Sequence, residues 1–120
     1  MKNKTLVLGA SENPERYSNM AILKLLSKGK EVVAVGNRAG AVNGVTISNQ
    51  PIPSEDIDTV TLYLNPTNQR PYYEYILSLK PNRIIFNPGT ENYELESKAE
   101  KAGIKTIEAC TLVMLGTGQY

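Results

Sequence analysis

Thr5-Leu6-Val7-Leu8-Gly9-Ala10-Ser11 is the segment from which the architecture can be worked out. Its first six residues make a continuous, partly β-branched apolar run, which suits a strand covered on both faces. The turn-rich Ser11-Glu12-Asn13-Pro14-Glu15-Arg16 follows, and from Tyr17 the apolar spacing becomes that of a helix. Met20, Ala21, Ile22, Leu23, Leu25 and Leu26 form a wide apolar stripe, with Ser18 placed to cap the first turn and Gly29 to end the helix. Glu31-Val32-Val33-Ala34-Val35 is a second strand of the buried type. Strand, helix and strand in this order read as one βαβ unit.

Outward from that unit the alternation continues. Ala39 to Pro53 is rich in Gly, Asn, Ser and Pro and lacks a helical period, so it reads as a crossover loop with at most a short extended piece at Val45-Thr46-Ile47. Thr59-Val60-Thr61-Leu62-Tyr63-Leu64 is the third strand. The next helix has Pro66 and Pro71 near its start, a face of Tyr72, Tyr75, Ile76 and Leu79, and Pro81 as its stop. Arg83-Ile84-Ile85-Phe86 is the fourth strand, and a helix from Asn92 carries Leu95, Ala99 and Ala102 until Gly103. Lys105-Thr106-Ile107 is the fifth strand, and Thr111 is placed to cap a short last helix through Val113 and Met114 that Gly116 ends. The expected fold is α/β: a doubly wound parallel sheet of about five strands, Rossmann-like and three-layered, most simply ordered 3-2-1-4-5. Residues 1–120 are expected to form a single domain.

Composition narrows the function. With 120 residues, 41% of them apolar and 21% charged, the chain has material for a core without staples. Thirteen Lys and Arg against twelve Asp and Glu leave a formal charge of +1, with no block of either sign. This argues against nucleic acid as a partner and for any anion being held locally. No histidine is present, which excludes a Ser-His-Asp triad, a Cys-His dyad and His-containing zinc sites made by this chain alone. Cys110 is the single cysteine, so internal disulfides and Cys-x-x-Cys chemistry are excluded too. No apolar run approaches the ~20 residues of a membrane span, and the cytoplasm is the expected compartment.

In an open parallel sheet, ligands bind beyond the carboxyl ends of the strands where the winding reverses, here expected beside the exits of the first and fourth strands. Gly9, Ala10 and Ser11, with Arg16 and Ser18 beyond them, offer backbone, a hydroxyl, a cation and a helix start, a set that suits a phosphate or pyrophosphate. An ordinary tight turn is the other reading, since Ser11 stands where the fingerprint G-x-G-x-x-G has its second glycine. At the second exit, Gly36-Asn37-Arg38 replaces the carboxylate that an NAD site normally offers the ribose 2′-hydroxyl. Arg38 suits a ribose with an extra phosphate, as in NADP or coenzyme A, or is simply a solvated loop arginine. Leu64-Asn65 and Asn87-Pro88-Gly89-Thr90 form the third and fourth exits; both asparagines are expected first as caps of the next helix and second as ligand contacts. Tyr17, Tyr63, Tyr72, Tyr73 and Tyr75 are expected to pack their rings and leave their hydroxyls at the surface. Cys110, after the fifth strand, reads as a buried inert thiol or, alternatively, as a partner for a ligand thiol.

Taken in order, Gly9-Ala10-Ser11 with Pro14-Glu15-Arg16 and Ser18, the Val35 to Arg38 exit, Leu64-Asn65-Pro66, Phe86 through Asn92, and Glu108-Ala109-Cys110-Thr111-Leu112 form a recognisable series. Over nearly its whole length the chain resembles the small single-domain CoA-binding proteins, relatives of the nucleotide-binding domain of the succinyl-CoA synthetase α-subunit. The resemblance implies that the first loop takes the pyrophosphate, that Asn37 and Arg38 face the phosphorylated ribose, and that the third and fourth exits flank the adenosine and pantetheine. It implies coenzyme A or an acyl-CoA as the ligand; NADP, which Arg38 and the fold would also suit, is the runner-up. The synthetases work through a histidine in another domain and an ATP-grasp subunit, neither of which this chain has, so a carrier, sensor or accessory module is expected rather than an enzyme. The alternatives are an NADP-binding oxidoreductase-type domain and a subunit of a multi-chain acyl-CoA enzyme. A homodimer through a surface near Tyr72 or Met114 is a further expectation.

Overall fold

The computed structural model describes residues 3–120. Seven strands, β1 (Lys4–Leu8), β2 (Glu31–Val35), β3 (Gly40–Val42), β4 (Val45–Ser48), β5 (Ile57–Leu62), β6 (Arg83–Phe86) and β7 (Lys105–Glu108), form one sheet ordered β3-β4-β2-β1-β5-β6-β7. Every neighbouring pair is parallel except β3 with β4. The helices are α1 (Tyr17–Ser27), α2 (Pro66–Gln69), α3 (Tyr73–Ser78), α4 (Tyr93–Lys101) and α5 (Thr111–Gly116), with a 3-10 turn at Arg70–Tyr72 joining α2 to α3.

Alternation along β1 sends Leu6 and Leu8 to one face and Val7 to the other, and all three are fully buried, because helices cover both sides. Val7, Ala34 and Ile47 meet Ile22 and Leu25 of α1 and Leu115 of α5. On the opposite face Leu6, Leu8, Val60, Leu62, Ile84 and Phe86 meet Ile76 of α3 and Leu95 and Ala99 of α4. The α/β, Rossmann-like three-layer architecture is therefore as expected.

The strand count is not. Ala39 to Pro53 is more than a crossover loop: Asn43 (φ 46°) and Gly44 (φ 87°) turn a hairpin that pairs β3 with β4. Positive φ at both central residues is what a tight hairpin demands, and Asn-Gly supplies it. The order 3-2-1-4-5 is corrected in consequence. The place beyond β2 is taken by β4, and the strand expected there, β5, pairs with β1 instead. Winding thus reverses between β1 and β5, not between the first strand and the one at Arg83.

Two caps are also corrected. Arg16, not Ser18, occupies the cap position of α1, with no side-chain bond to the helix; Ser18 lies inside the first turn and is buried. Thr111 opens α5 without capping it; its amide donates to Asn87 Oδ1 at 2.8 Å. Asn92 does cap α4, accepting from the Leu95 amide at 3.2 Å.

Candidate functional site

At the carboxyl ends of the central strands the exits converge on an open cleft of about 710 Å³. Its walls include Gly9, Ala10, Ser11, Arg16 and Ser18 from the first exit and Gly36 and Asn37 from the second. Leu64 and Asn65 come from the third exit, and Pro88, Gly89 and Thr90 from the fourth. Tyr17, Tyr63 and Tyr72 join them.

Two expected residues stand apart. Arg38 is exposed on the turn after β2 and does not line the cleft, whereas its neighbour Asn37 does. Asn87 is buried and fully engaged. Its amide donates to Thr61 Oγ1 at 2.7 Å and to the Leu62 carbonyl at 2.8 Å, while its Oδ1 receives the Thr111 amide. It caps neither the next helix nor the cleft; it joins β6, β5 and the start of α5. Asn65 behaves as expected of a cap, accepting from the Asn68 amide at 2.9 Å.

The first loop is built to stay open to a ligand. Gly9 sits at φ 99°, in the left-handed region, and a Cβ there would lie 2.9 Å from the Tyr63 backbone carbon. The amides of Gly9 and Ala10 both donate to the Val35 carbonyl, at 2.8 and 3.0 Å, which fixes the exits of β1 and β2 side by side. Asn19 Nδ2 donates to the Ser11 carbonyl at 3.0 Å, and Glu12 Oε2 accepts from the Ala41 amide at 3.0 Å, tying the loop to α1 and to β3. At the start of α1 the amides of Tyr17 and Ser18 meet no protein acceptor among the described residues, and the first turn carries no acidic side chain. Free amides at the positive end of an eleven-residue helix, beside the Arg16 side chain, suit an anion.

Among the described residues Arg16 is the one charged side chain in the lining, which holds no carboxylate, lysine or thiol. Tyr63, expected to put its hydroxyl at the surface, instead buries it with no hydrogen bond among the described residues. Burial pushes that phenol up to about 12, against the smaller opposing influence of the Thr61 and Thr111 hydroxyls. It is protonated at neutral pH. Cys110 is half-buried at the cap position of α5 and lies outside the lining. Met114, expected near a docking surface, is buried, and Tyr72 lines the cleft; among the described residues the exposed large apolar side chains are Tyr17, Met20, Leu23, Tyr93 and Val113.

Gln69 is the residue that sequence reasoning missed. It is fully buried at the end of α2, its Nε2 donating to the carbonyls of Leu64 at 2.7 Å and Thr90 at 2.8 Å. A glutamine inside a polar, proline-flanked stretch gives no sequence signal of this.

Comparison with known proteins agrees with the geometry. The family model described as "CoA binding domain" matches residues 3–116. A crystal structure of an uncharacterized protein is 51% identical, with a TM-score of 0.96, over 100% of this chain and 99% of that one. A hypothetical protein from Pyrococcus horikoshii OT3 is 27% identical, with a TM-score of 0.86, over 97% and 83% of the two chains. The dinucleotide-forming acetyl-coenzyme A synthetase 1 of Ca. Korarchaeum cryptofilum shares the fold at 17% identity and a TM-score of 0.69, over 88% of this chain and 25% of its own. No curated protein sequence matches the chain. Among the described residues no helix is long and apolar enough to cross a membrane.

Proposed function

Since the chain belongs to the CoA binding domain family, we propose that it binds coenzyme A or an acyl-CoA in the cleft at the strand exits and serves as a carrier, sensor or accessory module rather than as an enzyme. The observation that carries this reading is the uncapped start of α1, with two free amides and Arg16 on the wall of a cleft that Gly9, Gly36 and Gly89 also line. The pyrophosphate belongs there, where helix polarity, amide donors and a guanidinium act together. We assign Asn37, on the wall, to the ribose side, and Arg38, exposed one residue further along the same turn, to the 3′-phosphate. Leu64, Asn65, Pro88, Gly89 and Thr90 border the rest of the ligand.

The non-catalytic part of the reading is supported by the chemistry of the wall. Its ionisable side chains are an arginine and tyrosines, and the tyrosine with the shifted phenol holds its proton. The Tyr63 phenol therefore offers no base at neutral pH.

Calorimetry with coenzyme A, dephospho-CoA and NADP tests the assignment. Removing a charge-assisted hydrogen bond costs roughly 1.5–3 kcal/mol, about ten- to 150-fold in affinity. Arg16→Ala is expected to weaken coenzyme A and dephospho-CoA alike by that amount, whereas Arg38→Ala weakens coenzyme A and spares dephospho-CoA. A wild-type protein that takes up neither, or that holds NADP as tightly as coenzyme A, overturns the reading.

A further inference from the structure

We propose that Gln69 is a positioning residue that fixes the separation of two walls of the cleft and thereby the affinity for the bound ligand, an inference that rests on the coenzyme A reading above. Glutamine is ordinarily a surface residue, and a buried amide is costly unless its hydrogen-bonding groups are satisfied. Gln69 is fully buried, and what satisfies it is the frame of the site. One amide bonds to both Leu64 and Thr90, which lie on the loops leaving β5 and β6 and which both line the cleft. Its Oε1 accepts from Asn92 Nδ2 at 2.8 Å, and Asn92 in turn caps α4 and donates to the Tyr73 hydroxyl at 2.8 Å. Asn87, at the base of the β6 exit, bonds to Leu62 at the end of β5, but among the described residues only Gln69 bonds to a cleft-lining residue on each of the two loops. A side chain that only filled space would have no reason to spend both amide hydrogens on carbonyls of two separate loops. Beyond the β5–β6 pairing and the Asn87 bonds, the span between the Leu64 and Thr90 carbonyls is held by one planar amide group, and a ligand lying between them meets walls already in place.

Three variants separate this role from plain packing. Gln69→Met keeps the length and removes the donors. Gln69→Glu opposes a carboxylate to two carbonyls at neutral pH but regains one donor when protonated. Gln69→Asn keeps the amide and withdraws it by one methylene, a milder change for the case that the others do not fold. In wild-type protein and each folded variant, coenzyme A affinity is measured between pH 5.5 and 8, and amide hydrogen exchange of residues 63–68 and 88–91 is measured without ligand. Gln69→Met is expected to bind about tenfold more weakly, about 1.4 kcal/mol, with exchange raised in both segments together, and Gln69→Asn falls between it and wild type. Relative to wild type, Gln69→Glu is weakest at pH 8 and recovers as the pH falls, while the Gln69→Met ratio stays flat. Exchange unchanged in folded variants overturns the clamp whether or not coenzyme A binds. Wild-type affinity in Gln69→Met or Gln69→Asn, or a pH-independent ratio for Gln69→Glu, overturns its effect on binding. Failure of the wild-type protein to bind coenzyme A overturns the ligand assignment, and with it the link to affinity, while exchange still reports on the clamp.

Discussion

Gly36 and Gly9 are where a single methyl group matters most. A Cβ on Gly36 would stand 2.2 Å from the Ala10 carbonyl oxygen, backbone against a side chain that cannot move aside, and one on Gly9 adds a left-handed φ to its own close contact. Overpacking and backbone strain of this kind each cost about 1–3 kcal/mol. Gly36→Ala and Gly9→Ala are expected to lose that much in urea unfolding, whereas Gly116→Ala, with nothing within 4 Å of its Cβ, is nearly neutral. Asp58 sets a pH dependence. Burial pushes its carboxyl up, but hydrogen bonds from Thr59 and Asn82 and the charges of Arg83 and Lys30 outweigh this and hold it below 3.8. The anion is favoured in the folded chain, so its contribution is complete above the unfolded value and lost as pH falls through the folded one. Asp58→Asn should therefore differ most from wild type near neutral pH and approach it below pH 3.8. The glycine turn was legible in the sequence because glycine has a backbone meaning of its own. Arg38 shows the limit of such reading, since a residue type at a strand exit says which chemistry is available but not where a flexible side chain stands.

Among the elements, the long apolar strands announced themselves, because burial on both faces leaves no polar position to blur the pattern. Glu31–Val35 and Arg83–Phe86 have the bounds read from sequence. The strands β3 and β4, three and four residues long, carry too few side chains for any period to stand out. The Asn43-Gly44 pair was the available signal, and overlooking it displaced the expected partner of β5. Asn87 belongs to this scale, because one amide holds three elements whose sequence positions are far apart. Asn87→Ala leaves the Thr111 amide without its buried acceptor. At roughly 1–3 kcal/mol for each group so stranded, it should be among the more damaging polar substitutions here. Denaturation followed by circular dichroism measures it, and a loss below that range removes Asn87 from the framework.

For the whole molecule, the three-layer architecture and the meeting of four exits were legible from alternation alone, whereas the place where the winding reverses, between β1 and β5, needed the true strand order. A ligand that binds only the folded chain stabilises it by about 2.7 kcal/mol at one hundred times its dissociation constant. Coenzyme A at that excess should raise the melting temperature by several degrees in wild type. In Arg16→Ala the same concentration should raise it clearly less, and an equal rise in both would place the anion elsewhere.

The hairpin at Gly40–Ser48 has a bearing on crowded solutions. It leaves one border of the sheet as a three-residue strand running against its neighbour, and the other border, β7, begins and ends on exposed charges at Lys105 and Glu108. Neither border offers a long, flat row of free amides and carbonyls on which another chain can template itself. Strand addition is thus disfavoured at both rims, and concentrated protein is expected to stay free of fibrils, a result that a fibril-sensitive dye reads directly.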